Sequence, residues 1–190
     1  MRLRKWLACS GLTAAILYVS IAAAQQRTPD VPYVPTTDEA VQVMLKLADV
    51  KKADVIYDLG CGDGRIVIAA AKTYGSRGVG IDINPVRIKE ARENARKAGV
   101  ENLVRFEEND LFKADIHEAS VVTLFLLSSV NLKLRPKLLE DLKPGTRVVS
   151  NTFDMGDWTP EKEQTIASDD TDSNFLSHKF FLWTIPPRGK

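Results

Sequence analysis

At 190 residues, with 44% hydrophobic and 27% charged residues and a formal net charge of +1, the chain has the composition of a folded globular protein, which excludes a disordered or collagen-like chain. Its length fits one domain built on a single hydrophobic core. The first 24 residues hold three bases (Arg2, Arg4, Lys5) and no acid, which leaves 23 bases against 25 acids in the other 166 residues. That net charge of about −2 argues against a basic nucleic-acid-binding domain. Of the two cysteines, Cys9 lies in the N-terminal stretch and Cys61 in the body, so the body has no disulfide framework.

Residues 1–5 are basic, and Trp6 to Ala24 is a 19-residue run without a charge that closes on Ala22-Ala23-Ala24-Gln25. The pattern predicts that residues 1–24 are a secretory signal peptide. The run also approaches the roughly 20 residues that span a bilayer, so an uncleaved apolar anchor helix is the competing expectation. The basic flank predicts the N-terminus in the cytoplasm and the body outside. Membrane contact is expected only through this segment. Residues 25–36 read as an extended linker, because Pro29, Pro32 and Pro35 exclude a helix.

Thr36 or Thr37 can cap the next helix, with Asp38 and Glu39 in its first turn and Val41, Met44, Leu45 and Ala48 at helical spacing. Strands are predicted at Asp54–Asp58, Val79–Asp82, Leu103–Phe106, Val121–Leu127 and Thr146–Ser150. Helices are predicted from Arg65 to Tyr74, over 85–98 between Pro85 and Gly99, and over 131–142 before Pro144-Gly145. Gln164–Ala167 and Lys179–Ile185 close the chain as two strands with no helical pattern between them. The run from Ser168 to Ser173 reads as a solvated loop. Alternating strands and helices predict a doubly wound, mostly parallel α/β sheet, and the last two strands predict an antiparallel hairpin at one edge.

The segment richest in chemistry is Asp58-Leu59-Gly60-Cys61-Gly62-Asp63-Gly64-Arg65, where a strand runs into three alternating glycines and then a helix. Glycine permits a sharp turn and close approach of a ligand to the backbone. A pyrophosphate cofactor favours G-x-G-x-x-G. Here the spacing is G-x-G-x-G, and Asp58 and Asp63 would repel a phosphate. A cofactor with positive charge and no phosphate suits two acids, and S-adenosylmethionine carries an ammonium and a sulfonium. Asp82 ends the second strand, where an acid can accept hydrogen bonds from both ribose hydroxyls.

The run Val55-Ile-Tyr-Asp-Leu-Gly-Cys-Gly-Asp-Gly-Arg resembles the first motif of class I S-adenosylmethionine-dependent methyltransferases. Gly80-Ile-Asp-Ile-Asn-Pro resembles their second, and Asn109-Asp110-Leu111-Phe112 the segment that meets adenine. Val31-Pro-Tyr-Val-Pro-Thr, Val121-Val-Thr-Leu-Phe-Leu-Leu and Leu142-Lys-Pro-Gly-Thr-Arg-Val-Val-Ser extend the likeness over residues 31–187. They are similar to the archaeal broad-specificity protein-lysine methyltransferases and, more distantly, to the mitochondrial enzymes that methylate lysine in the ATP synthase c-subunit. Ser150-Asn151 stands where that pattern leads one to expect Ser-His.

This resemblance implies a seven-stranded, Rossmann-like methyltransferase sheet over 37–190, with 25–36 as linker and cofactor lid. The implied cofactor is S-adenosyl-L-methionine. Asp58, Gly60 and Gly62 would hold its methionine moiety, Asp82 would bind its ribose, and Asp110 with Asn109 its adenine, while Cys61, Asp63, Gly64, Ile83 and Leu111 would complete the cofactor site. Tyr33 and Thr36 would close over it. Leu126, Leu127 and Ser128 would line an acceptor channel with no dedicated base, joined by Phe153 and Trp158. His117 and His178 read as surface or loop residues, and no metal is expected. The partner implied is a protein with an accessible lysine, not a nucleic acid, and the enzyme is expected to be a monomer. A small-molecule or lipid amine as acceptor, or a non-catalytic cofactor-binding module, are the competing functions.

Overall fold

The computed structural model describes residues 31–167 and 177–188. The N-terminal apolar segment and the loop read from Ser168 to Ser173 lie outside the described residues. The elements run α1 (Asp38–Leu47), β1 (Val55–Leu59), α2 (Arg65–Tyr74), β2 (Arg77–Asp82), α3 (Pro85–Ala98), β3 (Val104–Glu108), β4 (Val121–Leu124), α4 (Ser128–Asp141), β5 (Arg147–Asn151), β6 (Lys162–Ala167) and β7 (Ser177–Thr184). They build a seven-stranded sheet in the order β3-β2-β1-β4-β5-β7-β6. Pairings from β3 through β5 are parallel, and β7 is antiparallel to both β5 and β6. The expected mostly parallel sheet with an antiparallel edge is therefore what forms.

Alternation along each strand divides the core in two. On β1, Val55, Tyr57 and Leu59 join the cluster that holds Leu134 and Leu138 of α4. Ile56 points the other way, into the cluster of α1, α2 and α3 side chains. All five β1 residues are buried, as a central parallel strand covered on both faces requires. Local signals set the helix ends. The Thr37 hydroxyl accepts from the Ala40 amide, and the Asn84 side chain accepts from the Val86 amide ahead of α3, whose end is a left-handed Gly99.

Two boundaries differ from the sequence reading in a way that affects the site. The strand expected to reach Leu127 stops at Leu124, and the helix expected from 131 begins at Ser128, with Leu127 at its cap position. The apolar run does not distinguish strand from buried helix start, and packing of Val130, Leu134 and Leu138 against the sheet decides it. Also, His178 lies on β7 rather than in a loop, half-buried, with Nδ1 3.2 Å from the Asn151 side-chain oxygen. His117 is an exposed loop residue.

At the N-terminal edge of the sheet, buried Asp54 takes hydrogen bonds from the Lys51 amide, the Ser120 hydroxyl and the Arg147 guanidinium, so one carboxylate ties together the starts of β1, β4 and β5. At the opposite edge, Gly64 (φ +80°) leads into α2, and a methyl group there would come within 2.6 Å of the Phe106 ring and 3.0 Å of Ala91. Left-handed strain of about 1–2 kcal/mol adds to overpacking of about 1–3 kcal/mol. Gly64→Ala is thus expected to destabilise the domain by about 2–5 kcal/mol, seen as a lower urea midpoint at unchanged slope.

Candidate active site

From β1 the chain winds outward through β2 and β3, then returns to lay β4 on the other side of β1. The strand order therefore reverses between β1 and β4, and a crevice opens beyond the carboxyl ends of those strands. A cavity of about 440 Å³ occupies that place. It lies within the size range of small-molecule sites. Its walls come from the 31–36 linker, the glycine turn after β1, the ends of β2 and β3, and the segment leaving β4.

The glycine turn is fixed by the end of β2. The Gly60 and Cys61 amides both donate to the Ile81 carbonyl, at 2.8 and 3.0 Å. Asp82 completes the tie, because one carboxylate oxygen accepts from the Gly62 amide at 2.9 Å and the other from the Asn84 amide at 2.9 Å. Gly60 and Gly62 have φ of +85° and +53°, which favours glycine, and neither has room for a side chain. A methyl group on Gly60 would approach Leu126 to 2.9 Å, and one on Gly62 would approach the Tyr33 ring to 2.4 Å. The turn is thus sandwiched between the β4 exit and the linker.

Asp58 is buried under this turn and accepts a hydrogen bond from the Thr123 hydroxyl at 2.8 Å, across the β1–β4 register. Burial raises its pKa to about 7; the Thr123 bond opposes the shift, and the charges of Asp82 and Asp63 add to it. Asp63 behaves differently. Burial pushes its carboxyl up, but hydrogen bonds from Arg65 and the Arg65 charge outweigh burial and hold it below its ordinary value. Arg65 grips both Asp63 oxygens, at 2.9 and 2.6 Å, and donates to the Thr36 carbonyl at 2.6 Å. The negative charge that the sequence assigns to the ligand at Asp63 is therefore neutralised within the protein, and it anchors the linker instead. Asp58, Asp82 and, beyond β3, Asp110 remain as the acids lining the crevice.

Cys61 is buried beside Gly80, where a methyl group would come within 2.8 Å of its sulfur. Burial, followed by the Asp58 and Asp82 charges, pushes the thiol well above its ordinary value. It fills space and is not poised as a nucleophile. Beyond β3, the Asn109 side chain accepts from the Asp110 amide and Asp110 accepts from the Phe112 amide, which sets a turn on the cavity wall.

The cavity brings together Tyr33, Thr36, Asp58, Gly60, Cys61, Gly62, Asp63, Asp82, Ile83, Asn109, Asp110, Leu111 and Leu126. It excludes five residues placed there by sequence: Gly64, Leu127, Ser128, Phe153 and Trp158. Gly64 packs on Phe106, and Leu127 and Ser128 turn away because α4 has already begun and rotates successive residues off the wall. Trp158 does not reach the cavity either. Its ring lies 5.8 Å from that of Trp183, tilted by 40°, and the Trp183 indole donates to the Trp158 carbonyl at 2.7 Å. Sequence reasoning missed Phe125 and Arg87. Phe125 fell within the strand predicted over Val121–Leu127, and no sequence signal singled out Arg87, whose guanidinium lies 4.3 Å over the Tyr33 ring at the rim.

A 3-2-1-4-5-7-6 sheet with a glycine turn and paired acids at its reversal point defines a class I S-adenosylmethionine-dependent methyltransferase. The donor set fits the cofactor, since the crevice offers carboxylates to ammonium and ribose groups and no phosphate cradle. The chain belongs to the ANTKMT methyltransferase domain family, whose family model matches residues 58–162. It is 47% identical over 158 residues to a protein-lysine N-methyltransferase of Saccharolobus islandicus, covering 83% of this chain and 95% of that protein. The human lysine N-methyltransferase of the ATP synthase c-subunit is 35% identical over 130 residues, 68% of this chain and 55% of the human protein. A Salinibacter ruber structure, described as an RNA methyltransferase in complex with S-adenosyl-L-homocysteine, is 55% identical with a TM-score of 0.74, covering 83% of this chain and 97% of that one.

Proposed function

We propose that this enzyme methylates the ε-amino nitrogen of lysine side chains in protein substrates. The likeness to the Saccharolobus lysine enzyme along 95% of that protein carries the reading. In this reading Asp58 and the Gly60–Gly62 turn hold the methionine part of the cofactor, Asp82 the ribose, and Asn109 with Asp110 the adenine. Tyr33 and Thr36 cover the crevice, the linker being pinned by Arg65. When bound, the cofactor supplies an electrophilic methyl group on a positive sulfonium.

What remains for the protein is to orient the amine and make its lone pair available. Neutralising a lysine of pKa about 10.4 at pH 7 costs about 4–5 kcal/mol. The cavity residues contributed after β4, namely Phe125, Leu126 and Val130, are apolar. Desolvation there favours the neutral amine, and a neighbouring positive charge favours it further. No side chain need act as a strong base.

The test is to incubate the purified full chain with methyl-labelled cofactor and a membrane-containing lysate, then map the label by mass spectrometry. Label on protein lysine is the expected result. Label confined to RNA, to which the Salinibacter description would point, or to small molecules or lipids would overturn it. We also propose that residues 1–24 bring the domain to a membrane. Among the described residues no helix is long and apolar enough to cross one, so this rests on the sequence of that segment. Fractionation with N-terminal sequencing should find the uncleaved chain in the membrane pellet, and a soluble or trimmed chain would refute an anchor.

A further inference from the structure

We propose that the Phe125 ring receives the acceptor lysine, and that Asn131 positions this ring by way of Phe153. The proposal rests on the lysine reading and names the residues that would give that site its acceptor affinity. The cavity has two unlike halves. Its acids, Asp58, Asp82 and Asp110, come from the ends of β1, β2 and β3, whereas the half beyond β4 is walled by Phe125, Leu126 and Val130. A cofactor with ammonium, ribose and adenine groups occupies the first half, which leaves the apolar half to the acceptor. An aromatic ring there packs the aliphatic stem of lysine, and its face attracts the cationic methylated product.

Phe125 is backed by Phe153, with ring centroids 6.3 Å apart and planes 29° from parallel. Phe153 belongs to the turn after β5, and that turn is held in an unusual way. Thr152 has φ of +67°, a left-handed conformation that is a genuine outlier for a β-branched residue. Such strain persists only where surrounding contacts enforce it. The Thr152 amide donates to the Lys179 carbonyl at 2.7 Å, and the Ser150 hydroxyl donates to the Phe153 carbonyl at 2.6 Å.

Asn131, fully buried on α4, supplies the rest. Its side-chain nitrogen lies 3.2 Å from the Ser150 hydroxyl, 3.1 Å from the Phe153 carbonyl and 3.3 Å from the Asp154 carbonyl. Its side-chain oxygen is buried with no partner among the described residues. All of its contacts to the turn come from the donor end of the amide, which ties α4 to the segment after β5. The chain of contact runs Asn131 to the Phe153 backbone, Phe153 ring to Phe125 ring, and Phe125 to the cavity.

The experiment uses the full chain, a synthetic single-lysine peptide as acceptor, and S-adenosyl-L-homocysteine binding as the independent readout. Phe125→Ala is expected to raise the peptide KM about tenfold or more while S-adenosyl-L-homocysteine affinity stays within about twofold. Phe153→Ala and Asn131→Ala are expected to raise KM by smaller factors, and both effects should vanish when added to Phe125→Ala. A merely structural Asn131 would lower stability and leave KM unmoved in either background. Unchanged KM in Phe125→Ala, or an equal loss of S-adenosyl-L-homocysteine affinity, overturns the inference alone. A wild-type enzyme that labels another acceptor and never the peptide or poly-L-lysine overturns the lysine reading and this inference together.

Discussion

Asp82→Ala is expected to weaken S-adenosyl-L-homocysteine binding about a hundredfold. The carboxylate sits at the end of β2 with each oxygen already accepting one backbone amide, from Gly62 and from Asn84. Those two bonds aim the remaining lone pairs and hold the glycine turn at the cavity wall. Removing the side chain loses ribose hydrogen bonds to an ionised acceptor, about 1.5–3 kcal/mol each, and leaves the Gly62 amide unpaired. With both ribose bonds at the low end of that range the loss is about 3 kcal/mol, which corresponds to about two orders of magnitude in affinity. Isothermal titration calorimetry measures it directly, and an affinity within threefold of wild type would remove Asp82 from the ribose site. Thermal unfolding of the unliganded variant separates a lost ligand contact from a loosened turn.

The second large effect concerns pH. Asp58 titrates near 7 in the folded protein against 3.8 for the ordinary side chain, because burial disfavours its charged form and the single Thr123 hydroxyl only partly compensates. Between those values the folded state holds a proton that the unfolded chain has released. Stability from this group is therefore complete below the unfolded value and is lost as pH rises through about 7. The shift corresponds to about 4 kcal/mol. The unliganded enzyme should accordingly have a lower urea midpoint at pH 8 than at pH 5, and Asp58→Asn, which keeps the shape without the titration, should flatten that difference.

Cofactor binding reverses the sign. An ammonium placed beside Asp58 favours its carboxylate, so binding below pH 7 must expel a proton, and affinity should rise with pH up to about 7 and then level off. Calorimetry at pH 6 in two buffers of different ionisation enthalpy counts that proton. Proton release that persists in Asp58→Asn would assign the titration to another group.

Much of this protein was legible in one dimension because the signals are local. The Asp58-to-Arg65 turn needs glycines at defined positions, the Asn84-Pro85 cap and Gly99 stop bound α3, and the alternation of strand and helix limits the topology to a wound sheet. Asp58, Gly60, Gly62 and Asp82 were expected at the crevice this way, since each sits at a strand end or turn whose chemistry its neighbours reveal, and they line it. The sequence could not separate Asp63 from Asp58. Both are acids beside glycines, yet one meets Arg65 and the other only a hydroxyl, and that difference depends on how α2 and the linker pack.

The acceptor side was hardest to read for the same reason. Leu126, Leu127 and Ser128 are adjacent in the chain, but the switch from strand to helix leaves only Leu126 on the cavity wall. The Asn131–Phe153–Phe125 relay links positions up to 28 residues apart, on α4, the β5 turn and the β4 exit, with no spacing that marks them in sequence. Backbone turns, caps and strand periodicity are fixed by forces acting over a few residues, so sequence alone determined the sheet, the glycine turn and the cofactor class. Which side chains line the apolar half of the cavity depends on long-range packing, and only the tertiary structure decided that.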